Sequence, residues 1–372
     1  MRGKPRLFLK RMMIVLNVGA AIIFGLACIA PYLHPTKWWI ISFLGLGFAG
    51  LLGTLLLFIF FWLFARPRYA FISLVAMILG WKSISVFFAF HKSESFAARK
   101  QPGALRVVHW NVARFVEWKR NNNEGSQKRL EMMAQIKAQH ADILCLEEFF
   151  HSTDSTYYDN LDYVRDKMDY PYAYFSWIED GYKQWVGEAI FSKHPIIDSG
   201  ITRFPRPGLP ETLIYADIVR GPDTFRVYTT HLQSFRFVKE DYDRIEKIKN
   251  RDDSLLENSK SIFSKVKTAT VIRSHQADIV RAEIDRSPYP FILTGDLNDV
   301  PNSYTYFTIR GNLQDVFLKK ELGIGRTFNG LSPTLRIDYI FATHEFEALQ
   351  FNRLSRDLSD HAMLVADLRL SK

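Results

Sequence analysis

Acidic side chains are almost missing from the first hundred positions: Glu94 stands alone there against twelve Lys and Arg. That stretch carries a net +11, and the remaining 272 residues carry −2. The basic balance of the whole chain, +9, therefore belongs to its first part. A basic protein invites a nucleic-acid reading, but the larger part of this chain has no such excess. Cysteine is scarce, with only Cys28 and Cys145, so residues 101–372 cannot hold a disulfide framework and thiol content does not fix a redox compartment. There is no HExxH and no Cys/His cluster at zinc spacing, which argues against a zinc centre. A Gly-rich Walker loop is absent too, which argues against nucleotide-driven work. No Cys or Ser is placed as a nucleophile, and no short repeat or low-complexity stretch is visible.

What the first hundred residues have instead is long uncharged runs. Residues 12–33 hold no charge over 22 positions and 38–65 none over 28. Each could cross a hydrocarbon layer of ~30 Å at ~1.5 Å per residue. A signal peptide has an apolar core of only ~7–15 residues and no second long run behind it. A third run, 69–90, is interrupted by Lys82. A mid-span lysine costs ~2.5–3.5 kcal/mol, which the many aliphatic and aromatic neighbours can offset. The expected organisation is a membrane segment over 1–92 with about three transmembrane helices (12–33, 38–65 and 69–90). A polar linker (93–103) and a catalytic-type domain (104–370) follow. Five basic residues in the first eleven, one in the turn after the first run and two after the second place the N-terminus in the cytoplasm. Three spans then leave the large domain outside; two would keep it in the cytoplasm.

In the large domain, strand-like runs are expected over 105–110, 141–146, 172–178, 188–191, 213–219, 225–230, 291–294, 337–342 and 362–368. Residues 127–139 show helical spacing with Leu130, Met133 and Ile136 on one face. A charged, largely helical stretch covers 237–286, with a polar break at 251–253. Strands and helices mix in two similar halves, roughly 104–232 and 270–370. Two packed sheets with helices outside fit this pattern, and so does a single parallel sheet.

Hard or ionisable side chains recur where these apolar strands end. Asn111 closes HWNV, Glu148 closes DILCLEE and His231 closes YTTHLQS. Asp296 and Asn298 close FILTGDLND, Asp338 sits in RIDYIFAT, and Asp360-His361 precede the last strand. Each has a bland reading alone. Asp296 after a glycine fits a turn, Glu148 an acid favourable to a helix dipole, His231 a core histidine and Asp360 a cap. Asp338 could pair with Arg336, and His109 reads as a core residue. Glu147, Asp299 and Ser234 are supporting positions. Six such coincidences favour one convergent site, because buried carboxylates are costly unless paired or bound to metal.

WNV, ILCLEE, GEAIFSKHPI, TTHLQS, ILTGDLNDVPNS, IDYIF and SDHAML follow one another in an order that resembles the endonuclease/exonuclease/phosphatase superfamily. The resemblance spans 105–368. It implies an α/β fold, a four-layer α/β sandwich of two facing mixed sheets with outer helices, here preceded by the transmembrane segment. It also implies roles. Glu148 matches the main Mg²⁺ ligand, with Asn111 and Asp360 as further metal residues. Asp296 and Asn298 match the pair that positions the attacking water and holds the phosphate. His231 and His361 match histidines that contact the phosphate and move protons, and Asp338 the acid that orients the last histidine. Two positions depart: Glu147 stands where the family commonly has Gln, and Ala113 where the apurinic endonucleases have an acid.

The chemistry agrees. Hard oxygen ligands suit Mg²⁺, or Mn²⁺ in its place; a metal polarises the phosphoryl oxygen, and histidines act near neutral pH. The expected function is a membrane-anchored, metal-dependent hydrolase of phosphodiester or phosphomonoester bonds, an Mg²⁺-dependent nuclease or phosphodiesterase type. Its expected substrate is nucleic acid, a lipid head group or a small phosphodiester. The lipid bilayer is the other expected partner, and no obligate protein partner is expected. The alternative is a membrane-anchored binding protein that keeps the fold without the chemistry.

Overall fold

The structure is a computed structural model that describes residues 3–116, 123–205, 211–238, 240, 241, 243–245, 255–330, 332–354 and 357–371. The break expected at 251–253 lies outside the described residues.

Two mixed sheets build the large domain. One is ordered Gln314–Asp315, Asp338–Ala342, Phe291–Asp296, Asp223–His231, Thr212–Arg220, Ile196–Arg203. The other is ordered Phe346–Leu354, Met363–Leu370, Leu105–Asn111, Ile143–Ser152, Gln184–Ser192, Tyr172–Phe175, with Ile178–Gly181 added on Gln184–Ser192. Each sheet draws strands from both halves of the sequence. Val107, Ile143, Cys145 and Ile190 of one sheet meet Ile214, Val227, Ile292 and Ile340 of the other in a common core. Alternate residues point outward: Val108, Trp110 and Leu144 pack beneath Met132, Met133 and Ile136 of the helix Asn123–Lys137. On the far side, Tyr228, Leu293 and Phe341 pack beneath Ala277, Val280 and Ile284 of the helix Leu255–Ile284. The order helix, sheet, sheet, helix is a four-layer sandwich. Strands covered on both faces read as continuous apolar runs, which is why 105–110 and 291–294 were visible in sequence. The edge strands Ile196–Arg203 and Phe346–Leu354 were not, because they carry mixed polar residues and only partial burial. The helix Asn123–Lys137 is also rotated from its expected face: Met132 is buried where Leu130 was expected, and Leu130 is exposed.

Residues 3–87 are largely helical. Leu7–Tyr32 and Phe48–Ala65 are each long and apolar enough to cross a membrane. The run 38–65 is two helices rather than one, Pro35–Leu46 and Phe48–Ala65, which meet at Gly47. The first of the two has tertiary partners of its own. Pro35–Leu46 lies against the large domain, where Phe43 stacks on Phe263 at 4.2 Å between ring centroids. Gly45 sits so close to the carbonyl of Asn302 that any side chain would collide with it. The run 69–90 is likewise bent, by 69°, between Pro67–Leu79 and Trp81–Phe87. At that bend Gly80 packs onto Phe24 and Cys28. Within the bundle Ser73 Oγ donates to Asn17 Oδ1 at 2.6 Å and Asn17 Nδ2 to the Tyr69 carbonyl at 3.3 Å, so the buried Asn17 and Ser73 side chains are hydrogen-bonded.

The helical part is fastened to the sandwich. Asn302 Nδ2 donates to the carbonyl of Ala27 at 2.9 Å and Arg336 Nη2 to that of Val86 at 2.7 Å. Lys82, the charge that interrupts the third run, lies over the rings of Tyr32 and Phe307. Ala89–Phe90 pairs with Leu322–Gly323. The segment 93–103 is held as well, by paired hydrogen bonds between Ala97 and Gln350 and by the buried Arg106, which donates to the carbonyls of Ala97 and Ala98.

Candidate active site

Strand register does most of the assembly. Asp296 lies beside His231 on one neighbouring strand and beside Asp338 on the other, so three polar residues share one row at the end of the first sheet. In the second sheet Asn111 pairs with Glu147, and a bulge follows between Leu146 and Phe149. The bulge residue Glu148 has φ +48°. A bulge re-aims one side chain, and here the adjacent Glu147 and Glu148 separate. Glu147 is fully buried between the sheets, whereas Glu148 lines a cavity of about 270 Å³. Asn298, at φ +51°, is the second candidate residue in the left-handed region. Strain of this kind concentrates at functional sites.

The cavity is also lined by His231, Asp296, Asn298, Asp360 and His361. Asn111 Nδ2 bridges Glu148 Oε1 at 3.2 Å and Asp296 Oδ2 at 3.3 Å. The backbone N–H of Asn298 donates to Asp296 Oδ1 at 2.8 Å, and Asn298 Nδ2 to the Leu232 carbonyl at 2.9 Å. Nε2 of His231 and Nε2 of His361 both lie 3.7 Å from Asp296 Oδ2. Asp338 does not pair with Arg336, which binds Asp315 at 2.6 Å instead. Its two oxygens lie 3.0 and 3.1 Å from Nδ1 of His361. Ser359 fixes the last loop by donating to the Asn111 carbonyl and accepting from the His361 N–H. Every residue singled out for the site is thus brought to one place. Of the supporting positions, Ser234 lines the cavity, while Asp299 accepts from Arg273 and Thr305 behind it.

Two residues behind the site, His109 and Glu188, escaped sequence reading in this role, and Glu147 was expected as a supporting position. His109 was read as core, yet its Nε2 lies 3.4 Å from Asp338 Oδ1. Glu147 accepts the Asp296 N–H at 3.0 Å and the Thr229 hydroxyl at 3.0 Å, which joins the two sheets under the site. Glu188, in GEAIFSKHPI, is buried and accepts from the Thr212 hydroxyl. A carboxylate inside an otherwise apolar strand was the available signal for it.

Charge is arranged unevenly. Burial, reinforced by Asp296 and Asp338, pushes Glu147 well above the ordinary carboxylate range. Burial also raises Asp296, although His361 and His231 oppose it. Asp338 goes the other way: burial disfavours its charge, but His361 and His109 outweigh this and hold it well below its usual value. Burial would likewise lower His361 and His231, yet surrounding carboxylates hold both up. Burial pushes Glu188 up to about 7.

A divalent cation fits this donor set. Glu148, Asp296 and Asp360 bring carboxylates to one cavity, and one amide group of Asn111 serves two of them. Among the described residues, Arg236 is the single Lys or Arg that lines the cavity. Hard oxygens and surplus negative charge suit Mg²⁺-type ions.

Residues 108–361 match the model of the endonuclease/exonuclease/phosphatase family, and residues 10–87 match a family described only as a domain of unknown function. None of the curated proteins compared matches the chain. Among solved structures, an endonuclease/exonuclease/phosphatase from Beutenbergia cavernae is similar at 21% identity and a TM-score of 0.51, over 73% of this chain and 72% of that one. The human Nocturnin catalytic domain with a bound sulfate anion is similar at 16% identity and a TM-score of 0.50, over 73% and 97%.

Proposed function

The chain belongs to the endonuclease/exonuclease/phosphatase family, and from that premise we propose that it is a membrane-anchored, divalent-metal-dependent phosphoesterase. The observation that carries this reading is the meeting of Glu148, His231, Asp296, Asn298, Asp360 and His361 on one cavity, with Asp338 behind His361. A fold kept only for binding has no need of that full set, so the non-catalytic alternative is disfavoured.

Glu148, with Asn111 and Asp360, would hold the cation, Mg²⁺ or Mn²⁺. When bound it neutralises charge on the phosphoryl oxygens. The chain's own residues supply the rest. Asp296, fixed by the Asn298 N–H and by Asn111, orients the attacking water and takes its proton. Asn298 and His231 donate to the phosphate. His361, oriented by Asp338, presents Nε2 to the phosphoryl group or the leaving oxygen.

The membrane part of the proposal has three crossings, with the bent pair counted as one. Two findings support it. Asn17, Tyr69 and Ser73 meet one another, while Ala27, Gly45 and Val86 reach the sandwich. An odd number of crossings with basic residues at the N-terminus puts the catalytic domain outside the cytoplasm.

The test uses the full chain in detergent and bis-p-nitrophenyl phosphate. Even loss of an outer partner of a metal costs about 10- to 100-fold in affinity, so Glu148→Gln, which removes a ligand, should raise the Mg²⁺ concentration for half-maximal rate by at least that much. An unchanged Mg²⁺ midpoint would remove Glu148 from the metal site.

A further inference from the structure

The cavity is not polar throughout. Leu46, Phe237, Val300, Phe328, Leu335 and Ile337 line it together with the catalytic side chains. Leu46 is foreign to the sandwich: it is the last residue of the helix Pro35–Leu46. Two residues later the membrane-length helix Phe48–Ala65 begins. The apolar run that forms part of the reaction cavity therefore continues directly into a helix suited to hydrocarbon.

The placement of Leu46 is rigid. Gly45 rests on the Asn302 carbonyl with no room for a side chain, and the Asn302 side chain in turn holds Ala27 of the first long helix. Farther back, Phe43 and Trp39 pack on Phe263, and Lys267 lies over Trp39. The opposite side of this short helix is open. Trp38 and Ile40 are 51% and 64% exposed beside the exposed Lys37. Trp with Lys beside aliphatic residues suits the boundary between water and lipid.

From this geometry we infer that the substrate is a membrane lipid carrying a phosphoester, with its phosphate at His231, Asn298 and His361 and its hydrocarbon against Leu46 and Phe237. The inference rests on the phosphoesterase reading above and names the substrate class for that same site. A polynucleotide asks for several cations along its backbone, whereas among the described residues Arg236 is the single one lining this cavity. One phosphate on an apolar body asks for no more. In the reaction the water oxygen forms a new bond to phosphorus and the ester P–O bond breaks. The leaving alkoxide takes one water proton, and the hydroxyl stays on phosphorus.

The test follows products by ³¹P NMR for the full chain with Mg²⁺. Substrates are vesicles of phosphatidylethanolamine with phosphatidylglycerol, of phosphatidylcholine, and of sphingomyelin. They are compared with the deacylated glycerophosphodiesters of the first three lipids, a single-stranded oligonucleotide and bis-p-nitrophenyl phosphate. The expected result is a kcat/KM for at least one lipid about tenfold or more above its water-soluble counterpart and above the oligonucleotide. Leu46→Asn should lower that preference about tenfold. Turnover of bis-p-nitrophenyl phosphate without turnover of any lipid, or equal turnover of lipid and water-soluble esters, would overturn the lipid assignment and leave the phosphoesterase reading standing. No turnover of any ester, with wild type folded by circular dichroism, would overturn both. The wild-type comparison decides the matter even if Leu46→Asn fails to fold.

Discussion

Asp338 does not line the reaction cavity, yet its replacement should be felt in the chemistry. It is 1% exposed, and both its oxygens face Nδ1 of His361 at 3.0 and 3.1 Å. Asp338→Asn keeps the shape and removes the charge. A hydrogen bond to a charged group is worth about 1.5–3 kcal/mol. At about 1.4 kcal/mol per decade, that converts to a loss of about 10- to 150-fold in kcat. KM should stay within about threefold, because the residue positions His361 and does not meet substrate. The assay is kcat and KM on bis-p-nitrophenyl phosphate at saturating Mg²⁺, with the thermal midpoint measured alongside. A kcat within threefold of wild type would refute the positioning role. A fall in thermal midpoint without a fall in kcat would make Asp338 purely structural.

Glu188 gives a pH-dependent outcome. Its buried carboxyl stands at about 7 against an ordinary 4.5, so the folded state binds more protons between those values and stability falls as pH rises through that window. The loss is about 3 kcal/mol; unfolding midpoints of wild type should fall relative to Glu188→Gln from pH 4.5 to 7, and parallel curves would contradict this. Gly45→Ala pushes a methyl into the Asn302 carbonyl and should destabilise the contact by about 1–3 kcal/mol. Protease sensitivity near Leu46 reads it, and an unchanged cleavage pattern would deny the close approach. Arg106→Met strands the buried Asp367, which Arg106 binds at 2.6 and 2.9 Å, and should cost about 3–5 kcal/mol in chemical unfolding. A loss under 1 kcal/mol would show that the pair is dispensable.

The sandwich and its site residues were legible because most functional side chains stand where an apolar strand covered on both faces starts or stops. Asn111, His231 and Asp296 close such strands and Asp338 opens one, while Glu148 sits at a bulge inside Ile143–Ser152. What sequence patterns hide is set by distant contacts. The 38–65 run looks continuous in hydropathy, yet it breaks at Gly47, and its first part lies against the large domain, where the carbonyl of Asn302, some 250 positions away, leaves room only for a glycine at 45. Lys82 looked like a charge inside a span, and it rests on aromatic rings at the domain surface. His109 and Glu188 lie within buried strands like ordinary core positions; only the facing sheet brings Asp338 to the one and Thr212 to the other. Leu46 could not be tied to the site at all, since nothing local marks one leucine among many.

Hydrolysis of bis-p-nitrophenyl phosphate by the full chain, with Mg²⁺ and with excess chelator, beside Asp296→Asn, tests the central claim most directly. Mg²⁺-dependent turnover abolished by chelator and reduced at least about a hundredfold by Asp296→Asn is the predicted result. Turnover that survives both the chelator and the substitution would contradict the metal-dependent site described above.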